Sequence, residues 1–208
     1  MKYLLATTNK AKIRYYGNRL KECGIHILTP EDLNLRCQVD ESGRNPVENA
    51  LLKAGAYNRL SGMPAIALDD GLFLEGVPDS LQPGTHVRRV DGKRLSDAEM
   101  IAHYMGLVNQ YGQDGMLKGY FLKGVAIVDE DERYRYECKS ARCFLNRQSE
   151  KMDEGYPLAS IQMISALGKF KSELTEEEER ETMDREQRGI VEFIVDKIGE
   201  MERRKACT

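Results

Sequence analysis

Apolar and polar positions alternate along this chain in a way that predicts short strands interleaved with longer helices. Tyr3 to Thr7 read as a buried strand, followed by the polar turn Thr8-Asn9-Lys10. Ile13, Tyr16 and Leu20 then recur at helical spacing, and Gly24 suits the position just past a helix end. Ile25 to Leu28 read as a second strand, stopped by Pro30. Asn45 as cap, Pro46 in the first turn and Glu48 completing a capping box open a helix running to Ser61, with Gly62 beyond it. Ala65 to Leu68 form a short apolar strand ending in Asp69-Asp70-Gly71, after which Leu72 to Glu75 continue extended and Pro78 to Pro83 form a loop. Ser96 with Glu99 begins another helix, with Ile101, Tyr104, Met105 and Val108 as its apolar stripe. Tyr120 to Val128 and Arg133 to Leu145 read as a hairpin across the acidic turn Asp129-Glu130-Asp131-Glu132, and Glu150 to Ser165 show neither period. Thr175 with Glu178 opens a last helix whose apolar side includes Ile190, Ile194 and Ile198. The alternation predicts an α/β fold.

Composition narrows the class. A chain of 208 residues fits one large domain, or one domain with two lobes, and buries a core without disulfides or metals. Its 41% hydrophobic and 31% charged residues are those of an ordinary globular protein. A net charge of -3 disfavours stable binding to a nucleic-acid backbone while leaving room for a local basic pocket. The five cysteines, Cys23, Cys37, Cys138, Cys143 and Cys207, are odd in number and never spaced CxxC. That argues against a disulfide framework or a zinc site and for a reducing compartment. No apolar run approaches the roughly 20 residues of a membrane span, and Met1 to Leu5 do not begin a signal peptide. The expectation is a cytoplasmic protein with no membrane or nucleic-acid partner.

Three segments carry candidate chemistry. Thr7-Thr8-Asn9-Lys10-Ala11-Lys12 follows a strand and opens a helix, where backbone N–H groups and the helix dipole attract phosphate oxygens. The glycines of a Walker loop are missing, and taken alone the segment reads more simply as a polar strand-to-helix turn. Asp40-Glu41, followed by Glu48-Asn49 and Lys53, offers carboxylate oxygens of the kind that hold Mg²⁺, with Asn49 and Lys53 on one helix face. The cap alone accounts for Glu48; the residues leave Glu41 and Lys53 open between a site and a solvated surface. Asp69-Asp70-Gly71 stands where an α/β sheet presents ligands, and a carboxylate there can hold a metal or take a proton from water. A DG turn between two strands fits that segment equally well. His26, His86 and His103 have no visible partner, and Arg88-Arg89 with Lys93-Arg94 read as a solvated basic face.

In this order the segments resemble the inosine triphosphate pyrophosphatase family, which removes aberrant purine nucleotides. Ala6 to Lys12 is similar to that family's ATxNxxK motif, and Glu41-Ser42-Gly43 with Val47 to Ala54 to its E-T-G…ENAxxKA segment. Pro64 to Ala67 leading into Asp69 to Leu72 is similar to its PAIADDSGL strand and turn, and Leu167-Gly168-Lys169 with Glu173-Leu174-Thr175 to its GK…EL(S/T) stretch. The resemblance covers most of the chain. It implies an elongated α/β fold, a mixed twisted sheet with flanking helices and two lobes around a cleft, forming a single domain over residues 1–208 and commonly a homodimer. It implies Mg²⁺-dependent hydrolysis of nucleoside triphosphates such as ITP, dITP and XTP to the monophosphate and pyrophosphate. The same chemistry on another modified nucleotide, and a nucleotide binder with weak turnover, are the alternatives. By the resemblance Thr7, Thr8, Asn9, Lys10 and Lys12 cradle the triphosphate with Lys53, and Asp70 stands beside them. Glu41 and Asp69 hold Mg²⁺, Asp69 also activates water, and Lys169 and Arg185 face the nucleotide.

The departures from the family concern the metal, where either an acid has moved by one position or one contact is missing, and the base. Leu68 falls where the family has the first acid of its DDSG turn, and Asp70 falls on its serine. Gly155 to Ser160 and Met183-Asp184-Arg185 stand where the family has GFGYDP and SHR, so its base-reading Asp and His are absent. Groups built to meet a base edge reject bases that leave them unpaired, so their loss implies weaker preference for ITP and XTP over ATP and GTP.

Overall fold

A computed structural model describes residues 1–153 and 155–206. The strands are β1 (Lys2–Leu5), β2 (His26–Leu28), β3 (Ala65–Leu74), β4 (Arg89–Val90), β5 (Lys93–Arg94), β6 (Met116–Asp129), β7 (Glu132–Leu145), β8 (Met163–Ile164) and β9 (Lys169–Phe170). The helices are α1 (Lys10–Glu22), α2 (Pro46–Ser61), α3 (Asp97–Tyr111) and α4 (Glu176–Ala206). One five-stranded mixed sheet runs in the order β2-β1-β3-β6-β7, while β4-β5 and β8-β9 form separate two-stranded ribbons. β1 pairs parallel to both β2 and β3, with Leu4 opposite Leu28 and Ala65. β6 and β7 form a hairpin whose turn places Glu130 at φ 51°.

The chain divides into two compact units. The first holds Met1–Asp70, Lys123–Cys138 and Gln187–Thr208, and the second holds Gly71–Leu122 and Lys139–Glu186. In the first unit the sheet is buried on both faces, because side chains alternate along each strand. Tyr3, Leu5, Ile66, Leu68, Val125 and Ile127 pack against Tyr16 and Leu20 of α1 and Ile190, Ile194 and Ile198 of α4. Leu4, Ala65, Ala67 and Ala126 face Ala50, Ala54 and Tyr57 of α2. The alanines bring α2 close. At Gly124 of β6 a Cβ would lie 2.4 Å from Pro46 C and Val47 N, so only glycine fits beneath the start of α2. In the second unit Met100, Ile101, Tyr104, Leu107 and Val108 of α3 pack with Leu72, Leu74, Leu117, Phe144 and Ile161.

The helix ends follow the sequence. Asn9 caps α1 and Gly62 closes α2 in the left-handed conformation at φ 65°. Ser96 and Glu99 form a reciprocal capping box on α3, as Thr175 and Glu178 do on α4. Two expectations are revised. Glu48 does not close a box on its own cap: its carboxylate accepts from the Arg44 N–H at 2.9 Å, one residue earlier, because the Arg44 guanidinium also grips it. Asp69-Asp70-Gly71 is neither a strand end nor a turn. β3 runs straight through it, because β6 alongside supplies the ladder partners, and Glu75 N–H still donates to the Lys118 carbonyl beyond it. Glu150 to Ser165 contains a 3₁₀ turn at Pro157–Ser160 and the two-residue strand β8, elements too short to show a period. Cys23, Cys37 and Cys143 are free thiols, and Cys207 lies outside the described residues. No described helix is long and apolar enough to cross a membrane.

Candidate active site

In the first unit a polar pocket of about 330 Å³ opens where β1 ends, α1 begins and β3 passes. Thr7, Thr8, Asn9 and Lys12 line it from the strand-to-helix turn, Glu41, Cys37 and Val39 from the loop before α2, Lys53 and Tyr57 from α2, and Leu68 and Asp69 from β3. The turn is held by its own side chains. Thr7 Oγ1 accepts from the Asn9 N–H at 3.2 Å, and Asn9 Oδ1 accepts from the N–H groups of Ala11 and Lys12. Asn9 thus satisfies part of the helix start itself, leaving side-chain donors and the dipole to meet an anion.

The charges in the pocket are arranged around Lys53. Its ammonium lies 2.7 Å from Glu41 Oε1 and 3.5 Å from Asp69 Oδ1, so two carboxylates from distant parts of the chain converge on one positive centre. Burial pulls the Lys53 amine down, but the hydrogen bond to Glu41 and the charges of Asp69 and Glu41 outweigh it and hold it above the usual lysine value. Burial pushes the Asp69 carboxyl above the ordinary range. Lys53, the Asn49 hydrogen bond and Lys12 oppose that push only in part, and Glu41 adds to it.

Asp69 and Asp70 point to opposite faces of β3. Asp69 continues the row of Ala65 and Ala67 toward α2, while Asp70 continues the row of Ile66 and Leu68 toward α1. There Lys12 Nζ reaches Asp70 Oδ2 at 2.6 Å and the Leu68 carbonyl at 3.3 Å. Burial disfavours the Asp70 charge, but Lys12 and then Lys123 and Lys53 hold its carboxyl below the usual value.

Thr7, Thr8, Asn9, Lys12, Glu41, Lys53 and Asp69 therefore meet around one pocket. Lys10 is the exposed first residue of α1 and does not line it, and Asp70 does not line it either but is paired with Lys12, which does. Lys169 and Arg185 belong to the second unit, where Lys169 is paired with Glu178 at 2.6 Å and Arg185 is exposed on α4. Leu68 is buried in the core, on the face opposite Asp69. Asn49 was legible only as a neighbour of Lys53. It is wholly buried and donates from Nδ2 to Asp69 Oδ2 at 3.0 Å. Its place four residues before Lys53, on the same helix face, was the available signal.

Among the described residues no three or more His, Cys, Asp or Glu side chains cluster as a metal cage. Two carboxylates beside a polar pocket are nevertheless a donor set suited to a hard cation whose remaining ligands are water and phosphate oxygens. A strand-to-helix turn, two lysines and two acids thus stand together in an α/β protein, beside a parallel strand pair covered on both faces. The chain belongs to the Ham1 family, whose sequence model matches residues 3–187.

A dITP/XTP pyrophosphatase of Leptospira interrogans serogroup Icterohaemorrhagiae serovar copenhageni is 32% identical over 133 residues, 64% of this chain and 65% of that protein. The chain thus spans just under two thirds of that relative's length. A dITP/XTP pyrophosphatase of Pectobacterium atrosepticum is 26% identical over 85% of this chain and 88% of its own. The structure of a HAM1 protein from Coxiella burnetii superposes with a TM-score of 0.76 at 20% identity, covering 96% of this chain and 99% of that one, a likeness of fold.

Proposed function

We propose that this chain hydrolyses nucleoside triphosphates to the monophosphate and pyrophosphate, with Mg²⁺, and that non-standard purine nucleotides are among its substrates. The observation that carries the reading is the convergence of Glu41 and Asp69 on Lys53, beside the Thr7 to Lys12 turn. Membership of the Ham1 family and the dITP/XTP pyrophosphatase names of its relatives support it. Lys12 and Lys53 neutralise phosphate oxygens, and Thr8 and Asn9 offer neutral donors at the helix start. Glu41 and Asp69 are the carboxylates that would hold Mg²⁺, which supplies charge neutralisation on the polyphosphate. Asp69, its carboxyl raised by burial, is suited to accept a proton from an attacking water. Water adds at phosphorus, the α–β phosphoanhydride bond breaks and pyrophosphate leaves.

Lys169 and Arg185 are assigned to the nucleotide by resemblance alone, as are a homodimer and a two-lobed domain, whereas a cytoplasmic location is expected from the odd, unpatterned cysteines. Discrimination among bases is expected to be weaker than in the family. Ser160, near the family's base-reading acid, already spends its hydroxyl on the Pro157 carbonyl at 2.7 Å. A second reading, a nucleotide binder without turnover, draws on Leu68, which puts hydrocarbon where the family carries an acid. Pyrophosphate release from a panel of nucleoside triphosphates with Mg²⁺, including ITP, XTP, ATP, GTP and pyrimidines, tests both. Release of single phosphate overturns the pyrophosphatase assignment, and binding without any release selects the binder.

A further inference from the structure

Asn49 sits in the first turns of α2 with no exposed surface, and both ends of its amide are used. Oδ1 accepts from the Gly43 N–H at 2.8 Å, and Nδ2 donates to Asp69 Oδ2 at 3.0 Å. A backbone N–H can only donate, so the amide oxygen must face Gly43, and the nitrogen is thereby turned toward the carboxylate. The orientation is fixed by chemistry rather than by packing.

Gly43 completes the arrangement. A Cβ there would lie 2.6 Å from Asn49 Oδ1 and 2.7 Å from Asn49 N, so any side chain would push the loop off the helix start. Glu41 stands two residues before Gly43 on that loop. One buried amide therefore ties the loop carrying Glu41 to the strand carrying Asp69. With Oδ2 of Asp69 held by Asn49, Oδ1 is left on the side of Lys53.

We propose that Asn49 is a positioning residue that fixes the Asp69 carboxylate relative to Glu41, with Gly43 as its required partner. The inference rests on the pyrophosphatase reading for its effect on turnover, but its geometry is testable without substrate. Catalytic constellations lose rate when supporting hydrogen bonds are removed, even where the contacting residues remain.

The test uses the full chain. In the unsubstituted protein the Gly43 amide hydrogen exchanges slowly with solvent, and the Asn49 side-chain amide resonances shift on Asp69→Asn. Asn49→Asp keeps an acceptor for Gly43 but removes the donor to Asp69, whereas Asn49→Ala removes both. Both are expected to lower kcat about 10- to 100-fold and leave KM within about threefold. Only Asn49→Ala loses protection at Gly43. Gly43→Ala, which crowds Oδ1 without deleting it, gives the same kcat loss and serves where Asn49→Ala does not fold. Unchanged kcat in Asn49→Asp overturns the proposal, and so does fast exchange at Gly43 in the unsubstituted protein. If no nucleotide is turned over at all, the pyrophosphatase reading fails, and the link still stands or falls on the two amide readouts.

Discussion

At the scale of single residues, Asp69 shows how a site works against the fold that contains it. Its carboxyl is raised by burial, so the folded chain favours the neutral form and the ionised form costs stability. That penalty is full above the raised value and vanishes as pH falls below the ordinary carboxylate value. Asp69→Asn keeps the shape and removes the charge. It is expected to lower turnover by at least about 100-fold, since general base and metal contacts are both lost. It is also expected to raise the melting temperature by about 2–4 °C at neutral pH, a gain that disappears in acid. Thermal melts across pH, beside turnover, decide this. A mutant with near-normal turnover assigns the role to another acid, and one less stable at neutral pH contradicts the burial argument.

At the scale of elements, the contact of α2 with β6 is the most demanding. Gly124 lies beneath Pro46 and Val47 with no room for a Cβ, and the obstructing atoms are backbone, which cannot rotate away. Gly124→Ala is expected to cost about 1–3 kcal/mol, as other overpacked contacts do, and to lower turnover by displacing the helix that carries Asn49 and Lys53. Urea unfolding measures the first effect, and a change under about 0.5 kcal/mol would show that the helix yields freely. Three of the four helices were legible because Asn45, Ser96 and Thr175 announce their starts in local chemistry, and α1 through the helical spacing of Ile13, Tyr16 and Leu20. β3 was legible as two extended pieces, Ala65 to Leu68 and Leu72 to Glu75, because Asp70-Gly71 is a strong local turn signal that pairing with β6 overrides. The site divides the same way. Thr7 to Lys12, Glu41, Lys53 and Asp69 could be picked out by residue type and by place after a strand or on a helix. Asn49 could be placed beside Lys53 on one helix face, but its link to Asp69 could not, since that depends on the approach of Gly43.

At the scale of the whole molecule, stability is shared between two units with separate cores, and the second holds an internal cost of its own. The Lys171 amine is pulled below the usual lysine value by burial and by Arg142, against the opposing pull of Glu186, Glu179 and Asp153. Arg142 itself is engaged by Glu186 through two bonds of 2.8 Å. A lysine depressed in the fold binds fewer protons there than in the unfolded chain, so stability rises with pH between the depressed and ordinary values. At neutral pH the ammonium is therefore a net cost. Lys171→Met is expected to raise the urea midpoint at neutral pH, with the gain narrowing as pH climbs toward the ordinary lysine range. A loss of stability at neutral pH would mean that the three acids already satisfy the charge. β3 carries a different consequence. Its successive side chains face opposite sides, with positions 68 and 70 toward α1 and Asp69 toward α2. Under mutational drift, a charge that vanishes from position 68 can reappear at position 70 and still face the same side of the strand. Neither immediate neighbour of Asp69 can inherit its place, because both face the other side of the strand.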